Sequence, residues 1–109
     1  MNKNIKSLLI EARLWSDGNT YHAVRIWANG KVLADIGMSY GYDDQYKYTA
    51  LNWLKGYQLV DEEVKTPHYL KAYADVYFIS YATLKRQLFK DSPSAEWAAN
   101  VEALKAGKF

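Results

Sequence analysis

The sequence predicts a single α+β domain, residues 1–109, in which an antiparallel β-meander carries helices on one of its faces. Apolar and polar residues alternate in three successive runs of the first half, and such alternation is typical of half-buried strands. Turn-forming clusters separate these runs, and helical spacing dominates the second half. A fourth, β-rich run at residues 76–82 is predicted to extend the sheet. The resulting order, βββ–α–α–β–α–α, fits helices layered on a mainly antiparallel sheet.

The three strands of the meander are predicted from their apolar alternation and from the turns between them. Ser16-Asp17-Gly18-Asn19 joins the first two strands, and Asn29-Gly30, a strong hairpin signal, joins the second and third. Leu8, Ile10 and Ala12 alternate with polar residues in the first strand. The strands cover residues 5–15, 20–27 and 31–40.

The apolar pattern also selects a register for the second hairpin. A two-residue loop at Asn29-Gly30 would pair Val24 with Asp35 and would mix the two faces of the hairpin. A three-residue loop, Ala28-Asn29-Gly30, pairs Val24 with Ala34 instead. Since a slip of one residue moves every side chain to the other face of a sheet, the three-residue loop is predicted.

Two helices are predicted between the meander and the fourth strand. Asp43 is a suitable N-cap for the first helix, and Gly56 is suited to the C′ position that follows its last turn. The acidic run at residues 60–64 is interpreted as an exposed connection. Thr66-Pro67 begins a second, short helix, because proline is favoured at the first helical position.

Two further helices are predicted after the fourth strand. Residues 84–90 resemble a short basic helix. Ser92-Pro93 is predicted to begin the last helix and Gly107 to end it. The apolar stripe of this helix consists of Trp97, Val101 and Leu104.

The composition argues against several kinds of chemistry. The chain has no cysteine, which excludes disulfides, thiolate metal sites and cysteine nucleophiles. Glycine-rich phosphate-binding motifs are absent from the sequence, and His22 and His68 lack a metal-ligand spacing. A general acid–base pair assembled from these histidines with Lys85 or Arg86 is the remaining enzymatic alternative, but His22 falls on the core-facing register. We therefore expect no enzymatic activity, no catalytic residues, no metal and no cofactor.

Charge and hydropathy restrict the location and the partners. Fourteen bases against twelve acids give a net charge of +2, which is less than a dedicated duplex-DNA binder carries. The apolar stretches fall short of the roughly 18 residues that a membrane span needs, and the N-terminal residues show no secretory signal. The sequence predicts a cytoplasmic protein without membrane contact.

Aromatic side chains with a polar atom are in excess. Ten tyrosines and four tryptophans accompany only three phenylalanines, and tyrosine and tryptophan are enriched at interfaces. Tyr46 and Tyr48 lie about 200° apart around a helix, so at least one of them faces solvent or a partner. The candidate partner-binding residues are Tyr21, Arg25, Trp27, Tyr40, Tyr42 and Tyr48.

Two alternatives use some of the same residues. A nucleic-acid binder would combine the aromatic sheet face with a basic helix that carries Lys85, Arg86 and Lys90, since stacking rings and cations hold single strands. Against it, Glu11 and Asp35 are placed to neutralise the arginines of that face. Homodimerisation through exposed tyrosines or an edge strand is the other alternative.

Two segments also carry a resemblance. Thr20-Tyr21-His22-x-Val24-x-Ile26-x-x-Asn29-Gly30-Lys31 and Tyr40-Gly41-Tyr42-x-x-x-Tyr46-x-x-Thr49-Ala50-x-x-x-Leu54 together cover residues 20–54. They resemble small proteins encoded by tailed bacteriophages and prophages. This resemblance implies an accessory protein of the anti-defence type, such as an anti-CRISPR protein, that covers a functional surface of a host protein or nucleoprotein complex in the bacterial cytoplasm.

Overall fold

Eight secondary-structure elements lie within the described part of the chain. The structure, a computed structural model, describes residues 1–91 and 95–108. The meander consists of strands β1 (Ser7–Ser16), β2 (Thr20–Ala28) and β3 (Lys31–Tyr40). Helix α1 (Gln45–Gly56), a 3₁₀ helix (Pro67–Ala72), strand β4 (Asp75–Ala82), a 3₁₀ turn (Lys85–Gln87) and helix α2 (Ala95–Lys105) follow.

The strands form one mixed sheet in the order β3-β2-β1-β4. Within the meander, β2 is antiparallel to both β1 and β3, whereas β4 is parallel to β1. A parallel strand needs a long crossover, and α1 with the following 3₁₀ helix provides it. The predicted α+β architecture with a fourth strand is confirmed.

The predicted three-residue loop in the second hairpin is wrong. Asn29 and Gly30 alone form the turn, with φ of 52° and 81°, as a type I′ turn requires at both central positions. Ala28 therefore pairs directly with Lys31.

A β-bulge restores the match between the apolar faces. The register shifts between Ile26 and Trp27, so that Ile26 pairs with Ala34. Leu33 and Ala34 are both buried, because a bulge places two residues of one strand opposite one residue of its partner. Val24 pairs with Ile36, so the predicted pairing of Val24 with Ala34 is wrong. The apolar residues of β2 and β3 nevertheless lie on the same face of the hairpin, as predicted.

The main core lies between one face of the sheet and the helices, and we call this face the inner face. Alternate residues of β1 and β2 meet the apolar sides of α1 and α2 there. The burial of apolar surface is the main favourable contribution to the stability of a small domain. Its members include Leu8, Ile10, Ala12, Val24, Ile26, Ala50, Leu54, Val101 and Leu104.

The predicted ends of α1 are wrong, whereas the predicted end of α2 is confirmed. Asp43 adopts a left-handed φ of 52°, and Asp44 is the N-cap residue. At the other end Gly56 is still helical, and Gln58 takes the left-handed conformation with φ of 61°. The Leu59 amide then donates to the carbonyl of the last turn, as in a Schellman motif. In α2 the left-handed residue is Gly107, with φ of 74°.

The predicted basic helix at residues 84–90 is also wrong. Only the turn Lys85–Gln87 is helical, and the chain then crosses the face of the sheet opposite the helices, which we call the outer face. The Thr83 amide donates to the Leu14 carbonyl of β1 at 2.7 Å, and the Asp91 carboxylate accepts from the Gly37 amide of β3 at 2.6 Å. We call residues 83–91 the strap.

The predicted start of the last helix, Ser92-Pro93, lies outside the described residues. Within the described part of the chain, no helix has both the length and the apolar character that a membrane crossing requires.

Candidate functional site

The outer face of the sheet carries a network of polar contacts. The Arg25 guanidinium donates two hydrogen bonds to the Asp35 carboxylate, at 2.7 and 2.9 Å. The hydrogen bond to Asp35 raises the pKa of Arg25 above its ordinary range. Glu11 accepts from the Trp27 indole at 3.1 Å and from the Tyr81 hydroxyl. These bonds hold the two predicted binding residues Arg25 and Trp27 in fixed positions.

The strap is clamped onto this network through one ring. The Phe89 side chain is buried, and its ring centroid lies 4.1 Å from the guanidinium carbon of Arg13 and 4.6 Å from that of Arg25. Arg13 also donates to the Gln87 carbonyl at 2.6 Å. Both sheet-face guanidiniums therefore contact the strap, and the flat aromatic and basic platform expected from the sequence is partly covered.

Three aromatic rings form a row across the end of the outer face where β1 finishes. Trp15 stacks on Tyr21 with ring centroids 5.5 Å apart, and Tyr21 meets Tyr40 edge to face at 5.7 Å. The row follows from strand pairing, because Trp15 lies opposite Tyr21 and Tyr21 opposite Tyr40. We call Trp15, Tyr21 and Tyr40 the aromatic row.

Exposure is graded along the row. Trp15 and Tyr21 are half-buried, whereas the Tyr40 side chain at the end of the row is 66% exposed. Tyr42, two residues further along the chain, is 65% exposed. The row thus ends in an exposed tyrosine, Tyr40, whose ring is held by its contact with Tyr21. A second exposed tyrosine, Tyr42, lies two residues further along the chain.

Most of the other tyrosines are also at the surface. Eight of the ten are exposed, Tyr21 is half-buried and Tyr46 is buried. Burial raises the pKa of the Tyr46 hydroxyl. The prediction that Tyr46 and Tyr48 cannot both be buried is confirmed, since Tyr48 is exposed. The exposed tyrosines are Tyr40, Tyr42, Tyr48, Tyr57, Tyr69, Tyr73, Tyr77 and Tyr81.

The six predicted partner-binding residues therefore fall into three groups. Tyr21 and Tyr40 belong to the aromatic row, and Arg25 and Trp27 belong to the polar network. The third group consists of two exposed side chains, Tyr42 just before α1 and Tyr48 on α1 itself.

Sequence reasoning did not include Trp15 among these residues. The register of the first hairpin, with its turn at residues 17–19, is the signal that pairs Trp15 with Tyr21.

The three cations of the predicted basic helix meet at one groove. Lys85, Arg86 and Lys90 are exposed and line a groove of about 350 Å³ together with Met38 of β3. The Lys85 ammonium also lies 5.1 Å from the centroid of the Trp15 ring, within cation–π range. The strap thus places these positive charges beside the aromatic row, although it is not a helix there.

The histidines occupy separate environments. His22 is buried, and its Nδ1 lies 3.0 Å from the Gly41 carbonyl while its Nε2 lies 2.7 Å from the Thr49 hydroxyl. Because a carbonyl oxygen only accepts, Nδ1 donates to it. His68 is exposed and contacts the Phe78 ring. The prediction of a packed, hydrogen-bonded His22 is confirmed.

A cavity of about 410 Å³ lies between β3 and the two α-helices. Its walls include Leu33, Val101 and the Trp53 ring, which stacks on a neighbouring tyrosine at 4.3 Å. Two of its carboxylates, those of Asp35 and Asp91, accept hydrogen bonds from within the chain. The cavity is mainly apolar, and the Asp35 and Asp91 carboxylates serve the fold.

Comparisons with protein-family models, with curated proteins and with solved structures find no match to this chain.

Proposed function

We propose that this protein is a non-enzymatic binding module that inhibits or modulates a host protein or nucleoprotein complex, and that it docks through Tyr40 and Tyr42. The observation that supports the proposal is the aromatic row, which ends in the exposed Tyr40 side chain. The resemblance of residues 20–54 to phage-encoded proteins supplies the class of partner. An anti-defence inhibitor is the form of this function that the resemblance favours.

The row favours binding because it supports a contact residue before the partner arrives. Tyrosine contributes a large contact area with few rotatable bonds, and Tyr40 is restricted further by its ring contact with Tyr21, which itself stacks on Trp15. A side chain that is already ordered loses less entropy on binding. Tyrosine and tryptophan are also the side chains that dominate binding hot spots.

Quantitative capture with matched variants tests this function. The wild-type chain, the variant Tyr40→Ala/Tyr42→Ala and the control Tyr69→Ala/Tyr73→Ala are immobilised and exposed to bacterial lysate. All four tyrosines are exposed in the wild type. We expect a host protein retained by the wild type and the control to be lost from the Tyr40→Ala/Tyr42→Ala variant.

The dissociation constant of that complex then provides the decisive measurement. Loss of two hot-spot side chains at about 2 kcal/mol each weakens binding by roughly a thousandfold. Equal affinity of the two double variants would place the interface elsewhere on the molecule and would reject this proposal.

The basic groove favours single-stranded nucleic acid as a second candidate partner. Lys85, Arg86 and Lys90 line one groove, and Lys85 lies over the Trp15 ring, an arrangement suited to holding phosphates beside a stacking platform. Titration with a single-stranded oligonucleotide at two salt concentrations tests it. Three phosphate contacts predict a slope of log K against log salt near −2, from about −0.7 per phosphate.

A pair of triple variants controls the oligonucleotide experiment. Lys85→Ala/Arg86→Ala/Lys90→Ala removes the cations of the groove, whereas Lys3→Ala/Lys6→Ala/Lys105→Ala removes the same charge elsewhere. Nucleic-acid binding at the groove predicts loss of affinity in the first variant alone. Equal losses would indicate non-specific attraction by net charge.

A further inference from the structure

Strand β4 forms an edge of the sheet and lacks the features that usually protect such an edge. The sheet order places β4 beside β1 on one side only. Natural edge strands are protected by lysine, proline or a bulge, whereas the sequence DVYFISYA of β4 contains neither residue and pairs with β1 without a register shift. Six of its eight residues are exposed; Val76 is buried and Phe78 is half-buried. The strand is therefore most accessible for further pairing from Ile79 to Ala82.

The outward-facing backbone groups of β4 can be assigned from its pairing with β1. The Asp75 amide donates to the carbonyl of Lys6, the residue before β1, at 3.1 Å, and the Thr83 amide donates to the Leu14 carbonyl of β1 at 2.7 Å. Backbone groups alternate in direction along a strand, so odd-numbered residues of β4 point their N–H and C=O groups to β1. The even-numbered residues point theirs away from it. These are Val76, Phe78, Ser80 and Ala82.

This set of outward-facing residues is symmetric about one position. Val76 and Ala82 lie three residues on either side of Ile79, and Phe78 and Ser80 lie one residue on either side. A second β4 strand, antiparallel and related by a two-fold axis at Ile79, would therefore pair each outward-facing residue with another. The pairs Val76–Ala82 and Phe78–Ser80, each formed twice, would exchange about eight backbone hydrogen bonds.

The side chains are compatible with the same register. Ile79 would lie opposite its own copy, and Tyr77 opposite Tyr81 of the second copy, all on the outer face. Tyr77 is 65% exposed and Ile79 is 48% exposed, and aromatic and β-branched cross-strand pairs stabilise a sheet. The charged residue of the strand, Asp75, would lie opposite Thr83, so that no like charges meet.

We propose that two copies of this chain associate through β4 in an antiparallel, two-fold-symmetric pairing centred on Ile79, which forms a continuous eight-stranded sheet. The interface is isologous, as is usual for homodimers. It uses neither the aromatic row nor the basic groove, so the proposal is independent of the function proposed above. It also places two copies of the outer face side by side.

Molar mass in solution provides the first test. Light scattering coupled to gel filtration is expected to show a wild-type mass of twice 12.6 kDa. Ile79→Lys places two ammonium groups opposite each other at the axis and is expected to raise the dimer dissociation constant at least tenfold. The control Tyr57→Lys alters an exposed residue at the end of α1 and is expected to stay dimeric. Circular dichroism confirms that both variants are folded.

Disulfide trapping provides a test of the register, because the chain contains no cysteine of its own. In the proposed register the two residues at position 79 form a non-hydrogen-bonded pair with Cα atoms about 4.5 Å apart, within reach of a disulfide. Ile79→Cys is therefore expected to cross-link under mild oxidation. Tyr77→Cys, on the same strand and face, lies far from its own copy and is expected not to cross-link.

Four results would reject the proposal. The first is a monomeric wild-type mass at every protein concentration up to about 0.5 mM, which is well above the dissociation constant of a specific interface. The second is a dimer that Ile79→Lys leaves intact. The third is equal cross-linking of Ile79→Cys and Tyr77→Cys. Binding of an extended peptide by a monomeric wild type would also reject it and would assign the edge to another partner.

Discussion

On the inner face of the sheet, Ile10 and Ile26 are fully buried against the helices, and the contacts there are apolar. The outer face has a small apolar cluster, in which Leu88 and Phe89 of the strap pack on Ala23. It adds directional contacts: an ion pair joins Arg25 to Asp35, and the Phe89 ring lies over the guanidiniums. The inner face is thus stabilised mainly by burial, and the outer face by a smaller buried cluster combined with specific polar partners.

The division also separates residues needed for folding from residues available for binding. Burial of apolar area supports the fold, whereas substitution of an exposed side chain usually changes stability little, and tyrosine and tryptophan are enriched at interfaces. We therefore expect substitutions on the inner face to lower the free energy of unfolding, and substitutions at Tyr40 and Tyr42 to lower affinity alone.

The largest loss of stability is expected on the inner face. Ile26→Ala removes buried methyl groups and leaves a cavity, so the free energy of unfolding should fall by about 3–4 kcal/mol. The control Met38→Ala alters an exposed side chain of β3 and should cost less than about 1 kcal/mol. Urea denaturation followed by circular dichroism measures both. Similar losses would contradict the distinction between buried and exposed positions.

The next effect is expected where the chain leaves the sheet for α1. Gly41 has φ of 142°, and a Cβ atom added there would lie 2.9 Å from the Gln45 Cβ and 3.2 Å from the His22 ring. Gly41→Ala should therefore cost about 2–3 kcal/mol, combining backbone strain with steric displacement. Gly18→Ala is the control, because φ is also positive there but no atom lies within 4 Å.

The difference between these two glycine variants isolates the steric part of the loss. Thermal denaturation should show the lower melting temperature for Gly41→Ala. Equal melting temperatures would mean that the packing of Gly41 against His22 and Gln45 adds nothing to the cost of the left-handed backbone.

A smaller loss is expected when the outer-face ion pair is broken. Arg25→Met leaves the nearly buried Asp35 carboxylate without its bidentate partner and should cost about 2 kcal/mol, less than a fully buried pair because Arg25 is partly exposed. The double variant Arg25→Met/Asp35→Asn should recover about half of this loss, since no unpaired charge remains. A double-mutant cycle in urea measures the coupling, and simple additivity would show that the pair contributes nothing specific.

The smallest effect on folding is expected at the exposed tyrosine before α1. Tyr42→Ala should change the free energy of unfolding by less than about 0.5 kcal/mol, as is usual for an exposed side chain. The same urea measurement detects any larger change. A loss above about 1 kcal/mol would show that Tyr42 is used by the fold, and its availability for binding would then be in doubt.

The sequence was informative wherever one residue pattern describes one element. Alternation located the strands, and the 200° angle between Tyr46 and Tyr48 required one of them to be exposed. The core-facing register of His22 predicted its burial. Each of these inferences depends on the local periodicity of a strand or helix.

The errors have two causes. The hairpin bulge at Leu33 and the ends of α1 involve a shift of one or two residues within a local segment, whereas the strap and the position of Lys85 over the Trp15 ring depend on contacts between distant parts of the chain. A basic, amphipathic segment at residues 84–90 predicts a helix when it is considered alone. The Phe89 ring instead lies between Arg13 and Arg25, and that contact competes successfully with helix propensity, which is a weak preference.

The sequence by itself therefore determined the number and position of the strands, the α+β class and the excess of aromatic side chains with polar atoms. Only the tertiary structure decided that β4 is a parallel, unprotected edge, that the strap crosses the outer face, and that Trp15, Tyr21 and Tyr40 form one row. The reason is physical. Periodicity fixes which side of an element a residue occupies, whereas the partner it meets there depends on strand order, which no local pattern encodes.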